Sequence, residues 1–196
     1  MQNVPGQSDA TLGRTYFDRL YEDADDPWSF RTSAYEAEKY DRTIATLERR
    51  YARGLEIGCS VGILTRRFAE HVDALLALDI SERAVAQARE TCADRRNVTV
   101  AQSDVTRDFP GGAFDLVIVS EVAYYWSEDD FARVRERIAA GAPGGDVLLV
   151  HFLPKVPDYV RDGDAVHEAF LTDPRYQFVR GSRTERYRID LLRVCS

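Results

Sequence analysis

The part of this sequence best equipped for chemistry is a run of small residues preceded by an acid, followed by two more acids further along the chain. The run is LEIGCSVG, Leu55 to Gly62, in which Glu56 stands ahead of Gly58, Cys59, Ser60 and Gly62. Small residues at a turn of this kind let a ligand approach the backbone closely. Asp79 falls in the apolar stretch ALLALDI at 74–80, with Ile80 beside it, and Asp104 follows VTVAQ at 98–102, with Val105 beside it. A carboxylate at a strand end can accept hydrogen bonds from both hydroxyls of a ribose. Asp104 could accept from the amino group of an adenine whose ring packs on Val105. Each acid alone is more often a solvated strand-end or helix-cap residue. Three of them at successive strand ends beside one turn converge on a common crevice. The glycines do not suit a dinucleotide, because GxGxxG needs glycine where Ser60 and Ile63 stand. The acid at Glu56 suits a ligand with a cationic end and no phosphate.

The elements that must position these groups follow from the pattern around them. From Ala52 onward short apolar runs alternate with amphipathic stretches, which predicts a parallel sheet covered by helices on both faces. The expected strands are 55–57, 74–80, 98–102, 114–120 and 146–152, with helices near 62–71, 82–93 and 128–140. A short helix near 164–171 and two extended segments, 176–182 and 186–194, complete the chain. The alternation RYRIDLLRV predicts antiparallel pairing with one solvated face. The fold expected is a doubly wound, Rossmann-like α/β fold with a mostly parallel seven-stranded sheet. Ahead of it, Tyr16, Phe17, Leu20 and Tyr21 recur at helical spacing until Asp23–Asp26 and Pro27. Ser33 and Glu36 form the spacing of a capping box for a second helix carrying Tyr40, Ile44 and Leu47, and Ser127 with Asp130 do the same at 128–140. These first helices predict a lid over residues 1–50 on a core of 51–196, all in one domain, with the polar start around Pro5 and Gly6 disordered.

Composition narrows the partners. A net charge of −7 disfavours nucleic acid, which is bound through basic surfaces. The 44% hydrophobic and 30% charged content is that of a soluble globular chain, and no apolar run reaches membrane-spanning length. A basic, apolar leader is lacking, so a cytoplasmic location is expected. Three scattered cysteines, Cys59, Cys92 and Cys195, give neither a disulfide framework nor a metal-ligand pattern.

Taken together, LEIGCSVG, LLALDI, QSDV, FDLVIVSEVAYYW and PGGDVLLVHF resemble the class I S-adenosylmethionine-dependent methyltransferases, whose loop is usually ExGxGxG; here Ser60 replaces the middle glycine. A narrower similarity is to the nodulation protein S (NodS) type of N-methyltransferase, carried by DDPWSF at 25–30, SAYEAEKY at 33–40, EIGCSVGILTRRFA, SEVAYYW at 120–126 and VPDYVRDGDAVHEAF at 156–170. The resemblance implies S-adenosylmethionine as cofactor, S-adenosylhomocysteine as product, and a small-molecule acceptor, an amine on a sugar-like compound or an aminoglycoside. Trp28 and Tyr35 would offer aromatic faces to the cofactor, Glu121 would hold its ammonium group or an acceptor amine, and His151 would be a proton acceptor. Tyr124, Tyr125, Asp158, Tyr159 and His167 would surround the acceptor. Methyl transfer needs alignment and exclusion of water rather than a metal or an enzyme nucleophile. A small-molecule O-methyltransferase and a non-catalytic cofactor-binding module stay open beside the amine reading.

Overall fold

The computed structural model describes residues 10–195; the start around Pro5 and Gly6 lies outside them. Seven strands form: β1 Tyr51–Ile57, β2 Val72–Asp79, β3 Val98–Gln102, β4 Leu116–Ser120, β5 Asp146–Phe152, β6 Tyr176–Arg183 and β7 Tyr187–Val194. They join in one sheet of order β3-β2-β1-β4-β5-β7-β6. The first five run parallel, and β7 is antiparallel to both β5 and β6. The order reverses between β1 and β4, so a crevice opens beyond the carboxyl ends of those two strands.

Side-chain alternation explains why the middle strands are apolar throughout. Leu116 and Ile118 of β4 pack into one core with Leu148 and Val150 of β5, while Val117 and Val119 enter the opposite core with Val147 and Leu149. Both faces are therefore buried, and each such side chain stabilises the fold by roughly 1.5–3 kcal/mol. The covering helices are α1 Arg14–Asp23, α2 Ala34–Ala45, α3 Ile63–Phe68, α4 Glu82–Thr91, α5 Glu128–Gly141 and α6 Gly163–Leu171.

Three expectations are corrected. The strand β7 has no solvated face: Ile189, Leu191 and Leu192 are fully buried, because Ile189 and Leu191 join the core with Tyr40 of α2 on one face and Leu192 joins the core with Val166 and Phe170 of α6 on the other. The two capping boxes are only half formed. Ser33 and Ser127 accept from the amides of Glu36 and Asp130, as the spacing predicts. The acids, however, do not turn back to the serines. Glu36 is drawn to Lys39, and the Ser127 amide donates instead to Thr11 Oγ1 at 2.8 Å, with Thr11 in turn bonded to Asp130. The second diversion ties the N-terminal segment to the start of α5.

Docking of α1 is polar at its rim. Ser81, the N-cap of α4, donates to Asp18 at 2.7 Å, and Arg14 reaches Glu82 at 2.9 Å. The α1 and α2 segments thereby form the outer wall of the crevice.

Candidate functional site

A cavity of about 530 Å³ lies over the carboxyl ends of the strands, walled by α1 and α2 on its outer side. Its floor is the turn after β1. Gly58 and Gly62 hold left-handed backbone angles, φ +79° and +82°, that only glycine adopts without strain. They have different second duties. A side chain at Gly58 would meet Val122 at 3.0 Å, and one at Gly62 would meet the Ala88 backbone at 3.0 Å, so Gly62 sets the approach of α3 to α4 and does not line the cavity. Ser60 also takes a left-handed angle, φ +49°, at a cost of about 1 kcal/mol. Its hydroxyl shares a 2.6 Å hydrogen bond with the Tyr21 hydroxyl of α1, a tether that glycine could not make.

The three acids do converge on the cavity, in three different states. Glu56 is 2% exposed, and its Oε2 has no hydrogen-bond partner among the described residues. Burial, reinforced by the nearby Asp79, pushes its carboxyl up to about 7. The Thr65 hydroxyl beside it pulls the other way, and the carboxylate, with no cation paired to it among the described residues, keeps acceptor capacity for a donor brought by a ligand. Asp79 is already holding the turn: Oδ2 accepts from the Ser60 amide and Oδ1 from the Ser81 amide, each at 2.9 Å. Burial raises it to about 6 against the pull of those amides. The second lone pair of each oxygen remains for a diol. Asp104 caps its own loop, with Oδ1 accepting from the amide and hydroxyl of Thr106 at 3.0 and 2.6 Å. Cys59, Ile80 and Val105 line the same stretch of cavity, as does Trp28, which stacks on Phe30 at 5.5 Å.

At the other end the cavity is built differently. Glu121, with φ +55° just past β4, is not free to receive a ligand's ammonium as expected. Its Oε1 accepts from Lys39 Nζ at 2.6 Å, and its Oε2 from the Tyr124 hydroxyl at 2.6 Å and the Phe152 amide at 2.9 Å. Lys39 is the main residue that the sequence reading missed. It is 1% exposed, lines the cavity, and also donates to Glu36 at 3.0 Å. Burial alone would lower its pKa, but Glu121 and Glu36 override that and hold it above the ordinary lysine value. The only hint in the sequence was its place on α2, three residues after Glu36 and four after Tyr35.

Tyr124 and Tyr159 stack at 3.8 Å, with Tyr125 edge-on to both, and all three line the cavity. Asp158 lines it too and accepts from the Tyr16 hydroxyl of α1 at 2.7 Å. Tyr35 lines the same wall as Lys39, with its hydroxyl unpartnered. Both histidines fall outside the cavity. His151 is fully buried and sits behind the Tyr124 ring, 5.3 Å away between centroids. Its Nδ1 faces His167 Nε2 at 3.2 Å, and His167 Nδ1 faces Asp190 at 2.7 Å. Burial, then His167 and Lys39, hold His151 well below the usual histidine pKa. A side chain sealed by an aromatic ring cannot take a proton from a molecule in the cavity, so neither histidine is placed as expected.

This strand order, with the glycine turn after β1 and a ligand-sized crevice above it, is the Rossmann-like fold of the class I methyltransferases. Comparison with known proteins agrees. The family model "Nodulation protein S (NodS)" matches residues 18–138, and the chain belongs to that family. Nodulation protein S of Sinorhizobium fredii is 28% identical over 76% of this chain and 72% of its own, and that of Bradyrhizobium diazoefficiens is 29% identical over 64% and 62%. Among solved structures, the N-methyltransferase NodS from Bradyrhizobium japonicum in complex with S-adenosylhomocysteine superposes with a TM-score of 0.77, at 21% identity, over 93% of this chain and 98% of its own.

Proposed function

We propose that this chain is an S-adenosylmethionine-dependent methyltransferase that methylates an amine of a small molecule such as an amino sugar. The observation that carries the reading is the buried Glu56 carboxylate lining the cavity with no cation paired to it among the described residues, beside the Gly58–Ser60 turn and Asp79. These residues fit the proposed cofactor. Glu56 would face its ammonium, Asp79 its ribose hydroxyls, and Asp104 with Val105 its adenine. When bound, the cofactor supplies an electrophilic methyl group on a sulfonium.

The chain's own work is then alignment and exclusion of water. Tyr21, tethered to Ser60, and Tyr16, tethered to Asp158, close α1 over the cavity. The Tyr124 and Tyr159 stack presents flat apolar surface to the acceptor. Burial of His151 behind Tyr124 favours an amine over a hydroxyl. An ammonium group can lose its proton to solvent before it enters and then attack as the neutral amine, whereas a hydroxyl needs a base at the moment of transfer.

The test is a mass-spectrometric screen of amines and matched alcohols with purified protein and S-adenosylmethionine. One added methyl on an amine, with S-adenosylhomocysteine formed in equal amount, is the expected result. Methylation of alcohols alone would replace the amine reading. Cofactor binding with no product across the panel would leave a binding module.

A further inference from the structure

Two cations line the cavity, and they differ in one respect that bears on the acceptor. Lys39 is neutralised by Glu36 and Glu121. Arg186 has no carboxylate within ion-pair distance among the described residues; its charge reaches Glu36 only at longer range. Its guanidinium lies over the face of Tyr35, 3.7 Å from the ring centroid. Stacking in that manner occupies the flat face and leaves the N–H groups at the edge free for a planar or tetrahedral anion. The Tyr35 hydroxyl is buried with no partner, so a second unspent donor sits beside the first.

The backbone under Arg186 is fixed. Its carbonyl accepts from the Leu153 amide at 2.9 Å, its amide donates to Thr184 Oγ1 at 3.2 Å, and the next residue, Tyr187, pairs with Phe152 at the end of β5. Strand order then says which ligand it meets. Glu56, Asp79 and Asp104 occupy the tips of β1, β2 and β3, whereas Arg186 immediately precedes β7, three strands from β1 in the opposite direction. At about 4.8 Å per strand, that is roughly 14 Å from the strand that carries Glu56.

We propose that Arg186 and Tyr35 form an anion-anchoring subsite, so that the acceptor carries a carboxylate or a phosphate-type group as well as its amine. The inference rests on the methyltransferase reading of the cavity and names the acceptor's class. It is tested by calorimetric titration of inorganic phosphate and of acetate, at constant ionic strength, into full-length protein saturated with S-adenosylhomocysteine. Binding of at least one anion is expected, weakened about ten-fold in Arg186→Gln and largely kept in Arg186→Lys. Arg183→Gln, at an exposed arginine engaged by Asp164 and outside the cavity, is expected to match wild type. The relative strength of the two anions tells a phosphate-type group from a carboxylate. No anion binding, or equal binding in Arg186→Gln, overturns the proposal. A ten-fold loss of S-adenosylhomocysteine affinity in Arg186→Gln also overturns it, since the anchor would then serve the cofactor's own carboxylate. Failure of wild type to bind S-adenosylhomocysteine at all sinks the methyltransferase reading instead, and phosphate titrated into the unloaded protein still reads the anchor.

Discussion

The two ends of the cavity are made by different means. Over β1, β2 and β3 the walls come from consecutive loops whose acids mostly bond their own or adjacent backbone, as Asp79 does with Ser60 and Ser81 and Asp104 does with Thr106. Over β4, β5 and β7 the walls come from side chains that meet across long stretches of sequence: Lys39 with Glu121, Tyr16 with Asp158, Arg186 with Tyr35. The first end is local geometry suited to one unchanging ligand. The second is assembled from separate pieces, any of which can vary with the acceptor while the fold stays the same.

The largest effect that would sharpen this contrast is expected at Lys39. Lys39→Met leaves Glu36 and Glu121 facing each other without their cation, and loss of one partner from a buried charged cluster costs about 3–5 kcal/mol. Denaturant midpoints at neutral pH should fall accordingly. A variant as stable as wild type would mean that the assembled end does not depend on its charge triad.

A smaller effect of opposite sign is expected at the local end. Glu56 has a folded-state pKa of about 7, above its ordinary 4.5. Its ionisation therefore opposes folding increasingly as pH rises through that window, and the penalty disappears below it. Glu56→Gln should raise the unfolding free energy of the unliganded protein at pH 8 by on the order of 3 kcal/mol, seen as a higher melting temperature, with little change at pH 4. The same variant should bind S-adenosylhomocysteine more weakly. Weakened binding without added stability would show that Glu56 is not held ionised against burial.

The smallest effect is expected at Tyr124→Phe, which removes one hydrogen bond to Glu121, worth about 1 kcal/mol. Turnover should fall several-fold with S-adenosylhomocysteine affinity unchanged, measured by steady-state kinetics and calorimetry on the same preparation. An equal fall in cofactor affinity would erase the division between the two ends.

What could be read from the sequence follows the same division. The Leu55–Gly62 turn and the acids after β2 and β3 were legible because each is a local pattern at the end of an apolar run. The doubly wound, mostly parallel seven-stranded sheet was legible because alternating strands and helices leave few ways to wind a sheet. Lys39 was hidden, since a lysine in an amphipathic helix reads as solvated until Glu121, 82 residues on, is seen beside it. Arg186 sat in the alternating RYRIDLLRV run and read as part of a solvated strand face, because only the hairpin's fold over α2 brings it to Tyr35. His151 misled for the converse reason. A strand-end histidine looks available, but α6 lays His167 against it and the Tyr124 ring closes it off.

The most direct test of the account is a calorimetric titration of S-adenosylhomocysteine into the purified chain, alongside Asp79→Ala and with NAD as the competing ligand. One S-adenosylhomocysteine per chain is expected, weakened by about ten-fold or more in Asp79→Ala, which loses both the diol acceptor and the anchor of the Ser60 turn. NAD should not compete. Absence of S-adenosylhomocysteine binding, or preference for NAD, would contradict the assignment of this cleft.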